Sequence, residues 1–262
     1  MKSGLQGIVV SSFVRVIRLC VALVLCPLPL FSTERNPNRI VCREELSLAR
    51  RVELADKLRA ITGWLDLKFD ESGTLQLGSA RAVGGSQSAR ALLDKAISGA
   101  NVLILEDASK RQDVVFCRVI PGRWKNNAAS NPPAYVVLID FADFDHLMGD
   151  TEALKAFDVG WGFLHEIDHV INDSSDPANV GMAGDCEDHI NLMRRECNLP
   201  LRSDYFFTFF PHAEESAFRT RLVRLAFDHE DITSAKHRRY WLIWDATVVG
   251  GLSTREQVAE LR

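Results

Sequence analysis

From Thr151 to Asn172 the chain holds one helical stripe, Leu154, Phe157, Trp161, Leu164 and Asp168, with His165 and His169 beside it. Residues four apart stack on one helix face, so any fold that keeps this segment helical holds two imidazoles side by side. Gly160 and Gly162 weaken the helix and allow it to divide in two. Ser174-Ser175-Asp176-Pro177 ends it.

The rest of the chain is read around that segment. Residues 43–61 form a helix by the spacing of Leu46, Ala49, Val52, Leu54, Leu58 and Ile61. Leu65, Leu67 and Phe69 alternate with polar residues, Glu71-Ser72-Gly73 turns the chain, and Leu75 and Leu77 resume the alternation, which predicts a hairpin. A second helix opens at 84–86 and runs to Ile97. Three β-branched, apolar runs follow at 102–105, 114–120 and 135–141, punctuated by Pro121-Gly122 and Asn131-Pro132-Pro133. Beyond the stripe, helices are predicted at 185–197 and 213–227, and Tyr240–Trp244 fits no class. No repeat or sharp boundary divides the chain, so residues 33–262 are read as a single domain.

The segment with chemistry in it is His165-Glu166-Ile-Asp-His169, an H-E-x-x-H pattern. Two imidazoles on one face can reach one metal at about 2.0–2.1 Å. Glu166, one step round from His165, stays out of the coordination sphere but can take the proton of a metal-bound water as it attacks a carbonyl. Asp168 points away from the metal and reads as solvated, or as the partner of an Arg.

On these residues the chain resembles the zincin metallopeptidases, and within them the gluzincin branch, over roughly residues 134–200. The metzincin pattern is not met: where its Gly and third His would fall stand Asn172 and Ser175. In gluzincins a later helix supplies a carboxylate about 18 to 20 residues beyond the second His. That window contains Glu187 and Asp188. Glu187 is preferred because Asn191, four residues on, could orient a ligand His; Asp188, Asp185 and His189 remain alternatives. The resemblance implies an α+β, zincin-like fold: a small mixed sheet packed on an active-site helix, with a following ligand helix. Residues 134–141 would be the edge strand that holds an extended peptide. It further implies a Zn2+ site of His165, His169 and Glu187, with Glu166 catalytic in a metallopeptidase. Tyr205, His212, His229, His237 and Tyr240 are candidates for stabilising the oxyanion. A non-catalytic binding or structural module is the rival, and the intact Glu166 speaks against it.

Composition narrows the partners. Lys2, Arg15 and Arg18 precede an apolar run, Leu19 to Phe31, too short to span a bilayer and suited to a signal peptide over residues 1–32. The expected location is therefore outside the cytoplasm, periplasmic or secreted, with no stable membrane span after cleavage. The remainder holds 28 of the 31 basic residues against all 35 acidic ones, a net charge of −7, which argues against nucleic-acid binding and leaves a peptide or protein substrate. Four cysteines remain. Cys186 and Cys197, on one helix, stand about 16 Å apart and cannot bond to each other, so both are read as core.

Overall fold

A computed structural model describes residues 39–79, 81–109, 111–123, 132–209, 222–231 and 236–249. The export signal expected at residues 1–32 lies outside them. The architecture is α+β. In chain order the elements are β1 (Ile40–Cys42), α1 (Leu48–Thr62), β2 (Lys68–Phe69), β3 (Leu75–Gln76), α2 (Gln87–Ser98), β4 (Val102–Asp107), β5 (Cys117–Gly122), β6 (Ala134–Ile139) and α3 (Phe141–Asp145). Then come β7 (Met148–Gly149), α4 (Thr151–Ala156), α5 (Val159–Asn172), α6 (Gly184–Glu196), β8 (Leu201–Arg202), β9 (Thr208–Phe209), β10 (Leu222–Asp231) and β11 (Lys236–Asp245).

The principal sheet is mixed, in the order β1-β4-β6-β5, with β1, β4 and β6 parallel and β5 antiparallel to β6. Leu103, Leu105, Val137 and Ile139 face the helices, while Val102, Ile104, Val136 and Leu138 form a cluster on the other face. Burial on both faces explains why β4 and β6 read as unbroken apolar runs. It also corrects the strand expected at the edge: residues 134–139 are central, between β4 and β5. The edge belongs to β5, whose half-exposed pattern and Pro121 suit a border position.

Helices α1, α2 and α6 pack with α5 on one face of this sheet, so Trp161, Phe163, Leu164 and Ile167 of α5 meet Leu58, Leu93 and Ile190. Each such side chain, fully buried, contributes about 1.5–3 kcal/mol. Residues 40–98 supply part of this same core and are not peripheral to it. Ser47, Ser86 and Asp158 cap α1, α2 and α5 by accepting backbone N–H bonds.

The long helical stripe does divide, but at Phe157-Asp158 and not at its glycines. The glycines serve close approach. A Cβ on Gly160 would stand 2.8 Å from Lys57 Cβ, and one on Gly162 would stand 2.8 Å from Phe144 and 2.9 Å from Cys117 Sγ.

A second, antiparallel sheet runs β7-β11-β10-β8, with β9 also on β10. Here the helix predicted at 213–227 is corrected. Residues 222–231 are a strand, in which Val223, Leu225 and Phe227 are buried in alternation and pair with Trp244, Leu242 and Tyr240; residues 213–221 lie outside the described ones. The spacing of Leu222, Leu225 and Ala226 imitates a helix, and the cross-strand pairing decides otherwise. Cys42, Cys117, Cys186 and Cys197 are all free thiols. Among the described residues no helix is long and apolar enough to cross a membrane.

Candidate metal centre

The last two turns of α5 carry His165 and His169, with ring centroids 4.8 Å apart. The helix stops where Asp173 turns left-handed (φ 53°, ψ 34°), and the chain doubles back across both rings. That reversal brings Asp176 Oδ1 to 3.1 Å from His165 Nε2 and 3.6 Å from His169 Nε2. Nδ1 of His169 meets the Ser174 carbonyl at 2.9 Å, which fixes its other nitrogen toward Asp176.

The turn is itself pinned from below. Asp168, read from the sequence as solvated or paired with an Arg, is fully buried instead. It accepts from Asn172 Nδ2 and Ser174 Oγ, both at 2.6 Å, and pairs with His189 Nδ1 at 2.8 Å.

The donor set could hold a metal ion of the size of zinc. Tetrahedral coordination at about 2.0–2.1 Å requires donors about 3.3 Å apart, and the two Nε2–Oδ1 separations fall on either side of that figure. Two imidazoles and a carboxylate are a chemically suitable set for this metal. Cys186 completes a group of four potential ligands lying within 4.8 Å of one another. Its sulfur lies 3.4 Å from His165 Nδ1 and 3.3 Å from the His165 carbonyl, on the ring edge opposite Nε2. Burial, reinforced by the charge of Asp168, pushes that thiol well above the usual range.

Glu187 is close by but differently engaged. It is fully buried at the start of α6, with Oε1 bound by Arg194 and Oε2 bound by Arg202 at 2.9 Å. Burial opposes its ionisation, yet the two guanidinium charges outweigh that and bring its pKa down to about 2. Its Oε2 lies 3.6 Å from His165 Nδ1, again on the side away from Asp176. Asn191 does not reach a histidine, contrary to expectation. Its amide bonds the Arg202 carbonyl and its oxygen accepts from Arg194 and Arg202. Asp185 and Asp188 are exposed, and His189 is committed to Asp168.

Glu166 is nearly buried, and its Oε2 accepts the Val119 N–H of edge strand β5 at 2.7 Å. Burial raises its pKa against the lowering influence of His165 and His169. His165 and Glu166 open into a cavity of about 590 Å³ together with Tyr205. The Tyr205 ring stacks on His165 at 6.0 Å, and its hydroxyl donates to Asp176 Oδ2 at 2.7 Å. Burial, then the charge of Asp176, keeps this phenol protonated.

Comparison of the chain with protein-family models, curated proteins and solved structures returns no match. What the site does is therefore read from its own geometry.

Two of its residues carry little signal in the sequence. Asp176 was visible only as part of a helix-terminating run, and its seven-residue offset from His169 matches neither pattern considered. Tyr205 was one of five undistinguished candidates. Of the others, His212 lies outside the described residues, and His229, His237 and Tyr240 belong to β10 and β11, away from the cavity lining.

Proposed function

We propose that the chain is a zinc-dependent hydrolase of zincin type, acting on peptide bonds. The observation that carries this reading is the approach of His165 Nε2 and His169 Nε2 to Asp176 Oδ1, with His165 and Glu166 lining one cavity. The third ligand is Asp176. Glu187, which the gluzincin spacing favours, is saturated by two arginines and acts from behind His165 as a fixed negative charge. Zinc, held by His165, His169 and Asp176, would supply Lewis acidity and make a water at the site more acidic.

The chain's own residues do the rest. Glu166 takes the proton and passes it to the leaving amine, a role suited to a carboxylate whose pKa burial has raised. Tyr205 is the donor nearest the ligands and can turn from Asp176 to a developing oxyanion. Strand β5, which ends the described sheet order, would offer main-chain groups to an extended peptide beside Glu166. Export rests on the sequence of residues 1–32 alone.

A second reading is a metal that only fastens two helices and a loop, and the presence of Cys186 in the donor group favours it. Cobalt substitution separates the two. A cysteine-to-cobalt charge-transfer band, lost in Cys186→Ser, would establish a closed site. A thiolate-free spectrum, with peptide hydrolysis lost in Glu166→Gln at unchanged metal content, is the expected result.

A further inference from the structure

Away from the ligands the cavity changes character. One wall is built by Phe116, Phe157, Phe207, Leu225 and Trp244, none of them charged. Phe116 is at its centre, with ring centroids 5.2, 5.1 and 5.4 Å from Phe144, Phe157 and Trp244. Its backbone lies in the left-handed region (φ 60°), which is disfavoured for a bulky side chain. Two buried aspartates hold it there: its N–H donates to Asp143 Oδ2 at 3.0 Å, and its carbonyl accepts the Asp140 N–H at 2.7 Å. A strained aromatic residue is thus fixed immediately before β5, the strand that binds Glu166.

Arg194 and Arg202 also reach the cavity, but both are paired with Glu187 and bonded to backbone carbonyls. An acidic group would find them already engaged. At the rim, Val180 extends the apolar lining outward and is 56% exposed.

We propose that this wall is a specificity pocket for a large apolar or aromatic side chain next to the bond offered to Glu166, with Phe116, Leu225 and Trp244 setting the preference. That the pocket receives the side chain of a substrate rests on the hydrolase reading. A charged side chain entering the pocket would lose its hydration without gaining a partner. A methyl group would cover less of the apolar lining than a large side chain does.

The test uses the zinc-loaded full-length chain carrying Glu166→Gln, so that binding is read without turnover. N-acetyl-Gly-X-Gly amides with X as Phe, Ala or Glu are titrated by calorimetry. The Phe peptide is expected to bind on the order of 10–100-fold more tightly than the other two. Leu225→Trp, which fills the pocket, should remove that difference. Phe207→Ala, at a half-buried loop position less able to unfold the chain, should reduce it severalfold. Equal binding of the three peptides, or a Phe preference untouched by both substitutions, overturns the proposal. A retained preference in a chain whose unsubstituted form cleaves none of a Phe-rich peptide set supports the pocket and rejects the peptidase reading.

Discussion

Glu187 Oε2 stands 3.6 Å behind His165 Nδ1, while the opposite nitrogen of the same ring faces Asp176 at 3.1 Å. One imidazole thus lies between two carboxylates of different fates. Asp176 is partly exposed and, among the described residues, is shared with Tyr205 and the two histidines. Glu187 is enclosed and neutralised by arginines.

These positions predict different losses. Asp176→Ala is expected to abolish stoichiometric zinc binding with little loss of stability in the metal-free chain. Glu187→Gln should leave zinc bound but about 10–100-fold more weakly. It should also destabilise the fold by about 3–5 kcal/mol, because Arg194 and Arg202 lose their buried counter-charge. Zinc competition and denaturant unfolding of the metal-free variants read both quantities. Full zinc affinity in Asp176→Ala would refute the ligand assignment.

The depressed pKa of Glu187 sets an acid limit on stability. Its carboxylate titrates at about 2 in the folded chain and at 4.5 without its partners, so the favourable term is complete above 4.5 and disappears as pH falls toward 2. The contribution is about 3 kcal/mol. Urea midpoints of the metal-free protein should fall across that window, and Glu187→Gln should flatten this part of the profile.

Asp168 is a structural anchor with a functional consequence. Asp168→Ala would strand Asn172, Ser174 and His189, for an expected loss of about 2–4 kcal/mol. Freed from its Oγ bond, Ser174 should no longer orient His169, so zinc affinity falls in the same variant. Thermal unfolding with and without zinc measures both, and a stability loss with unchanged affinity would separate the turn from the site.

Glycine to alanine within a helix ordinarily stabilises by about 1 kcal/mol. At Gly160 and Gly162 the sign should reverse, to a destabilisation of about 1–3 kcal/mol, because the new methyl meets Lys57 and Ile61 at one position and Phe144 and Cys117 at the other. Denaturant midpoints of the two variants decide it.

Local periodicity and punctuation made the helical parts of this fold legible. The stripe on α5, the alternation of the β2–β3 hairpin and the apolar runs of β4 and β6 all follow from neighbours within a few residues. The H-E-x-x-H spacing likewise identified three side chains that meet on one helix. Features that depend on partners far along the chain were not legible. The edge position of β5, the pairing of Val223 with Trp244 and the engagement of Glu187 by Arg202 each need contacts that no window of sequence contains. Asp176 was hidden for a related reason: its place is set by the left-handed Asp173 and by the hold of Asp168 on Ser174, neither of which has a periodic signal.

The β10–β11 hairpin lends Leu225 and Trp244 to the cleft but no donor to the metal group. On the proposed reading, chemistry would belong to helix α5 and the turn after it, and part of the selectivity to a separate sheet. On that reading, substitutions at Leu225 or Trp244 should change which side chain is admitted and leave the α5 residues in place.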